Sequence, residues 1–297
     1  MSTETITTRT ADDFFLLGGD LPVRRIGLGT MRLTDATGDH SRTGAHIWRG
    51  AEDPTEQIAL LRGAVEAGVQ LIDTADAYAL GDSEELVARA LHPYADDVLI
   101  ATKVGNVRPS PTVWVPLGHP AYLQQQVELS LRRLRLDRID LLQLHRLDPN
   151  FPIADQVGAL AELRDQGKIR HIGLSEVTVD QLDEARRTAP IASVQNLYNL
   201  SARGHDAVID HADAAGIAFL PFFPLAIGEL SAPGGAVADV AVEIGAEPSQ
   251  MALGWLLRRS PNVLPIPGTG SLAHAVQNLG ALEVELSEEQ FRRISEG

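Results

Sequence analysis

The chain contains no cysteine. That excludes disulfides, thiolate metal sites and a cysteine nucleophile together, and it suits a reducing cytoplasm. Long apolar runs are also missing. The best candidate, AFLPFFPLAIG at residues 218–228, is short and twice interrupted by proline, whereas crossing a bilayer takes roughly 20 apolar residues. The opening MSTETITTRTADDFF has no basic end followed by an apolar stretch, so it does not read as a secretory signal. A soluble, cytoplasmic protein with no membrane partner is the expectation. Basic excess is lacking too: 25 Lys and Arg stand against 40 Asp and Glu, for a net charge of −15. Such a surface repels a polyphosphate backbone, which argues against nucleic acid as a partner. A smaller anionic ligand remains compatible, because local amides and a few cations override the global field. Finally, no GxGxxG follows any predicted strand, which weakens the dinucleotide-binding version of a doubly wound sheet.

What is present is a regular alternation. Short apolar runs rich in β-formers occur at RIGLGT (25–30), QLIDTA (70–75), VLIATKV (98–104) and IDLLQLH (139–145). IRHIGLS (169–175), SVQNL (193–197), AFLPFF (218–223) and VLPIPG (263–268) complete the set. Continuous runs of this kind fit parallel strands covered on the outside by helices. Amphipathic stretches lie between them, with Ile58, Leu61 and Val65 on one helical face and Val127, Leu131 and Leu134 on another. Pro54 and Ser83 suit helix starts, and Gly68, Gly167 and Gly216 suit left-handed helix ends before the next strand. Eight strands with intervening helices predict a single α/β domain over residues 1–297, a (β/α)8 TIM barrel with residues 1–20 as an N-terminal extension or cap. Two connections after strand ends are unusually long, residues 105–120 and 228–239, and both fall on the face where barrel enzymes keep their sites.

Ionisable groups recur at the C-terminal tips of these strands: Asp73 and, five residues on, Tyr78; then Lys103; then His145. A charge ending an apolar strand is expensive to bury unless paired. These four also suit one reaction, delivery of hydride to a carbonyl carbon with protonation of its oxygen. A phenol near its solution pKa of ~10 is a weak acid at neutral pH unless a cation lowers it. Lys103 can be that cation, Asp73 its counter-ion and His145 the hydrogen-bonding partner of the carbonyl. Taken singly, each has a plainer reading: a structural ion pair, a rim aromatic, an exposed loop histidine. Trp48 and Trp114, both on the mouth side, either line an apolar substrate pocket or merely cover the barrel top. No metal site is expected.

The motifs D-x-x-x-x-Y at Asp73 and Tyr78, TK at Thr102 and Lys103, and QLHR from Gln143 to Arg146 resemble the catalytic tetrad of the aldo-keto reductase superfamily. The resemblance runs from GLGTM near residue 30 to the helix after residue 270. It implies Tyr78 as proton donor, Lys103 and Asp73 as tuners of its pKa and His145 as substrate orienter. It also implies an NADPH cofactor, with NADH second. Gly29, Thr30 and Met31 would meet the cofactor at the first strand end, and Ser175 and Gln195 would hydrogen-bond the nicotinamide carboxamide. Glu176 stands where the family often has Asn, with a carboxylate that is a candidate acceptor for the same amide. Phe222 matches the ring that stacks under the nicotinamide, followed by Phe223, Pro224 and Leu225. Gly268, Thr269, Gly270, His274, Gln277 and Asn278 fall in the IPGTGSLAHAVQN segment, where relatives grip phosphate and adenine. HPYADDVLIATKVG and PFFPL resemble a bacterial pyridoxal reductase-like branch, which implies a pyridoxal-sized aromatic aldehyde as substrate and a monomer or simple homo-oligomer. Two other functions stay open. One is a nicotinamide-sensing regulatory subunit, as in the potassium-channel β-subunit branch. The other is a Schiff-base barrel aldolase with Lys103 as nucleophile.

Overall fold

Short continuous apolar runs alternate along the chain with stretches of period-3.6 apolar spacing, and strands and helices follow them. The computed structural model describes residues 13–34, 47–226 and 234–296. A hairpin of β1 (Phe14–Leu17) and β2 (Leu21–Arg24) comes first, then β3 (Leu28–Gly29), β4 (Leu71–Asp73) and β5 (Leu99–Val104). A second antiparallel hairpin, β6 (Asn106–Ser110) and β7 (Val113–Pro116), precedes β8 (Ile139–Leu144), β9 (Ile169–Ser175), β10 (Ser193–Gln195) and β11 (Ala218–Phe219). The helices are α1 (Thr55–Glu66), α2 (Asp82–Leu91), α3 (Pro120–Leu134), α4 (Ile153–Asp165) and α5 (Val179–Arg186). They continue with α6 (Asp206–Ala214), α7 (Gly235–Ile244), α8 (Pro248–Arg259), α9 (Leu272–Leu279) and α10 (Glu288–Glu296). One parallel sheet runs in the order β3-β4-β5-β8-β9-β10-β11.

The eighth strand of the barrel is present in position but not as a full ladder. Leu264 and Ile266 donate to the carbonyls of Phe219 and Pro221 on one side, at 2.8 and 3.4 Å. Pro265 and Pro267 accept from the N–H groups of Gly27 and Gly29 on the other, at 3.0 and 3.2 Å. A proline has no N–H, so the edge facing β3 accepts without donating and its ladder is half-populated. Bridges Phe219–Val263 and Gly29–Gly268 nonetheless close the sheet on both edges. The result is the (β/α)8 barrel that the eight apolar runs predict.

Consecutive strand residues face opposite ways, and both ways are apolar. Leu71, Leu99, Ala101, Leu141, Ala218, Leu220 and Leu264 point into the barrel, where Leu17 and Val23 of the first hairpin join them. Ile72, Ile100, Leu142 and Leu144 point outward against Leu61, Val87, Val127, Leu131 and Leu160 of the helices. Gly68, Gly167 and Gly216 take φ of +108°, +77° and +67°, the left-handed helix ends that the sequence suggests. Ser83 does not start its helix: α2 begins at Asp82, and the Ser83 hydroxyl turns inward to Thr30 and Thr74 at 2.8 and 2.9 Å. The connection at 105–120 is the β6–β7 hairpin rather than an irregular loop. Of the other long connection, residues 228–233 lie outside the described residues, and α7 starts at Gly235. The third tryptophan, Trp255, is core: its ring stacks between Tyr198 and Phe291, and its N–H bonds Ser295 Oγ at 2.7 Å.

The first hairpin is latched across the base of the barrel by its tip. Asp20 accepts from Arg170 at 2.8 Å and pairs with His171 at 2.6 Å. Gly18 sits under that contact with φ +63°, and a Cβ there would lie 2.2 Å from the His171 ring. Gly18→Ala therefore combines backbone strain with displacement of His171 from Asp20. The expected loss is about 1–3 kcal/mol, read as a lower urea midpoint at unchanged slope; an unshifted midpoint would contradict the latch.

Candidate active site

Asp73 ends β4, and the β4–β5 pairing sets Asp73 opposite Ala101, which brings Lys103 two residues further along β5. Both side chains are buried, and Lys103 Nζ lies 2.6 Å from Asp73 Oδ2. The other ammonium bonds go to the Thr74 carbonyl at 2.8 Å and the Tyr78 hydroxyl at 3.2 Å. All three donors of the ammonium are therefore committed. The second oxygen of Asp73 accepts from Gln143 at 3.1 Å and Gln195 at 2.9 Å. Burial alone would push Lys103 toward neutrality, but Asp73 and then Tyr78 outweigh it and raise its pKa above the ordinary 10.5.

Tyr78 opens a tight turn. Ala79 and Leu80 both take left-handed backbone, φ +48° and +56°, at a cost of order 1–3 kcal/mol each. The Ala79 N–H bonds the Ile47 carbonyl at 3.1 Å, which helps to hold the turn. Burial pushes the Tyr78 phenol above its ordinary pKa of 10.0; Lys103 pulls it down and Asp73 pushes it up. Lys103 thus lowers the phenol's pKa as expected of it, against a larger upward push from burial. His145 follows β8, its N–H bonded to the Val104 carbonyl at 2.8 Å. Its ring meets those of Tyr78 and Trp114 edge-on, with centroids 5.9 and 6.0 Å apart. Burial first, then Lys103 and Arg146, hold the imidazole well below its usual 6.5, so it is neutral at pH 7. Nδ1 is buried without a partner, which leaves Nε2 as the nitrogen available to a ligand.

The three cavity-facing members of the four, Asp73, Tyr78 and His145, edge one cleft of about 1350 Å³, above the usual size of a small-ligand pocket. Gly29, Met31, Ser175, Gln195, Phe222, Phe223, Pro224 and Leu225 line it. Gly268, Thr269, Gly270, His274, Gln277 and Asn278 line it too. Thr30 does not reach it. That side chain is fully buried, and its hydroxyl serves the Asp73 carbonyl and Ser83 at 3.1 and 2.8 Å. Trp114 lines the cleft and Trp48 does not. Instead, the Arg108 guanidinium lies 3.8 Å from the Trp114 ring centre and 5.5 Å from that of Trp48. Arg108 also donates to the Ile47 and Ala77 carbonyls at 2.9 and 3.4 Å, tying the β6 wall to the Tyr78 turn. Glu176 is turned away as well: at φ +55° its carboxylate accepts the Leu197 N–H at 2.6 Å, so it is not the amide acceptor expected of it.

Several lining residues carry no signal strong enough to single them out in the sequence. Arg146 donates to the His145 carbonyl at 2.6 Å and Ser175 Oγ at 3.0 Å, joining two strand tips. Its place beside His145 in QLHR was the available clue. Arg32, Asn106 and Glu247 also line the cleft, and nothing local distinguishes them from surface residues. Among the described residues no cluster of His, Asp and Glu could hold a metal ion. A buried phenol with an ammonium behind it and a neutral imidazole beside it can protonate an oxygen that gains negative charge.

Known proteins share this chain's sequence pattern and fold. The Aldo/keto reductase family matches residues 25–296. An uncharacterized oxidoreductase of Schizosaccharomyces pombe is 44% identical, over 94% of this chain and 88% of that protein. Pyridoxine 4-dehydrogenase of Escherichia coli is 42% identical, over 91% and 93% respectively. Among solved structures, an aldo/keto reductase from Klebsiella pneumoniae in complex with NADP and acetate superposes with a TM-score of 0.80 at 28% identity, covering 96% of this chain and 94% of that one.

The buried pair makes a stability prediction. Asp73→Asn leaves the Lys103 charge without its counter-ion, a loss of about 3–5 kcal/mol. Asp73→Asn combined with Lys103→Met removes the charge as well and is expected to recover part of that loss in urea titrations. A double variant less stable than Asp73→Asn alone would refute the pairing energetics.

Proposed function

Since the chain belongs to the aldo/keto reductase family, we propose that it reduces a small aldehyde or ketone to the alcohol, using NADPH in preference to NADH. The observation that carries this reading is the Lys103 ammonium held between Asp73 Oδ2 and the Tyr78 hydroxyl, at 2.6 and 3.2 Å, beside a ligand-sized cleft. NADPH when bound supplies the hydride. The chain supplies the rest. Tyr78 gives its proton to the carbonyl oxygen, His145 Nε2 orients that oxygen, and Lys103 stabilises the phenolate left behind. The raised phenol pKa keeps the donor protonated through the neutral range.

Two stretches of the cleft lining suit a dinucleotide. Gly268 packs its backbone so close to Gly29 that a Cβ would lie 3.3 Å from the Gly29 carbonyl oxygen. The backbone there is flush with the wall; at the start of α9 Ser271 Oγ caps the His274 N–H at 3.4 Å, which leaves the Leu272 and Ala273 amides without an intrahelical partner. Gly268, Thr269, Gly270 and His274 would hold phosphate, with Gln277 and Asn278 toward the base. Ser175 and Gln195 would hold the carboxamide, and Phe222 the face of the ring. The preference for NADPH draws support from the NADP complex of the Klebsiella pneumoniae relative. For substrate we favour a pyridoxal-sized aromatic aldehyde. The similarity to pyridoxine 4-dehydrogenase and the apolar wall of Ile47, Met31 and Trp114 support it. Residues 1–297 are one reductase domain in this reading, as a monomer or simple homo-oligomer; of the expected 1–20 extension or cap, residues 13–20 belong to the first hairpin and residues 1–12 lie outside the described residues. Among the described residues no helix is long and apolar enough to cross a membrane.

The aldolase reading needs a neutral amine at Lys103, and the raised pKa of that ammonium weighs against it. A sensing subunit would bind cofactor without turnover, which the same assay tests. NADPH and NADH oxidation over a panel of aldehydes is expected to show turnover favouring NADPH. Tyr78→Phe should lower kcat by about 10²–10⁴ and leave cofactor affinity nearly unchanged. The wild-type kcat for reduction should be flat through pH 7. It should fall on the acid side only well below pH 6.5, where His145 protonates, and on the alkaline side only above pH 10, where Tyr78 ionises. An acid limb centred at 6.5 would remove the neutral His145 from the account.

A further inference from the structure

Asn106 is the residue that the proposed chemistry leaves unused. The residue is 5% exposed, its Oδ1 has no hydrogen-bond partner, and it lines the same cleft as Tyr78, His145 and Trp114. Buried amide oxygens in folded proteins are nearly always bonded, so an unpaired one on a residue that lines a ligand cleft calls for a partner from outside the chain. Its polar neighbours along the strand tips are otherwise engaged. Lys103, Gln143 and Gln195 converge on Asp73, and Arg108 bonds main-chain carbonyls.

Its place is fixed by the backbone. Gly105, at φ +103°, lets the chain leave the barrel after β5, and Asn106 then pairs with Pro116, two residues from Trp114. Three residues of extended chain span at most about 10 Å, so Asn106 stays within reach of the Lys103 end of the site. A flat substrate lying against Trp114 with its carbonyl at Tyr78 and His145 would bring a substituent to this amide.

We propose that Asn106 is a specificity residue that hydrogen-bonds a hydroxyl group carried on the substrate close to its carbonyl. A hydroxyl both donates and accepts, so it satisfies a primary amide from either end. The inference rests on the reductase reading and narrows it to hydroxy-substituted aromatic aldehydes. Pyridoxal, with a ring hydroxyl next to its aldehyde, belongs to that class.

The test compares benzaldehyde with its ortho- and meta-hydroxy isomers at neutral pH, in wild type, Asn106→Ala and Asn106→Leu. The wild type should favour one hydroxy isomer in kcat/KM over benzaldehyde, and that ratio should fall about tenfold in either variant. Ratios rather than absolute rates cancel the intrinsic reactivity of each aldehyde. Binding of the matching alcohols, read by tryptophan fluorescence without turnover, should lose the same discrimination. Because Oδ1 has no protein partner, Asn106→Leu, which keeps the side-chain volume, should not lower Tm. Unchanged ratios in both measurements, or a clear drop in Tm for Asn106→Leu, would overturn the assignment. Discrimination in the binding arm with no turnover of any aldehyde would instead count against the reductase reading and leave Asn106 in place.

Discussion

A positive charge buried at the centre of a barrel mouth is the constraint on which the rest of this site depends. Removing an ammonium from water costs several kcal/mol, and Lys103 is wholly inaccessible. Only a carboxylate in direct contact, with every remaining donor satisfied, makes that tolerable. Asp73 supplies the contact, and the Thr74 carbonyl and Tyr78 hydroxyl take the other two donors. The carboxylate needs support in turn. Gln143 from β8 and Gln195 from β10 reach across the barrel to its second oxygen, and Thr30 from the first strand end holds its carbonyl. Five strand tips are thereby locked into one polar layer above the apolar barrel interior.

Two opposed effects then set the chemistry of Tyr78. Burial keeps the phenol protonated, and the adjacent Lys103 favours the phenolate. Before reaction the first effect dominates, so the acid is loaded at neutral pH. As the proton leaves, the attraction of Lys103 for the developing anion grows, and the barrier falls without the ground state losing its proton. The same desolvation, with Lys103 and Arg146 nearby, keeps His145 neutral and able to orient an oxygen. One buried cation thus serves both groups.

Much of this was legible in the sequence because its signals are local. A charge at the end of an apolar strand is conspicuous, so Asp73, Lys103 and His145 could be named and the structure brings them together with Tyr78. The eight apolar runs likewise gave the barrel, although the prolines in the last run thin its final ladder. What was illegible depends on where side chains point. Thr30 and Ser83 look like a cofactor contact and a helix cap, yet they bond each other beneath the site. Trp48 looks like a pocket wall and instead faces the cleft's wall from behind Arg108. Glu176 can serve either the cofactor or the backbone, and the left-handed φ sends it to Leu197. Asn106 belongs to no local pattern, and only its place in the cleft reveals it.

The central claim is that Asp73 keeps Lys103 charged inside the protein. The sequence holds only two lysines, Lys103 and Lys168, so the side-chain carbon signals of lysine can be assigned by NMR with a single Lys168→Arg variant. A pH titration of the Lys103 signal tests the claim directly. The account predicts that Lys103 remains an ammonium up to and beyond pH 10.5, and that Asp73→Asn moves its titration downward. A Lys103 signal that titrates below 10.5 in the wild type, or one indifferent to Asp73→Asn, would contradict it.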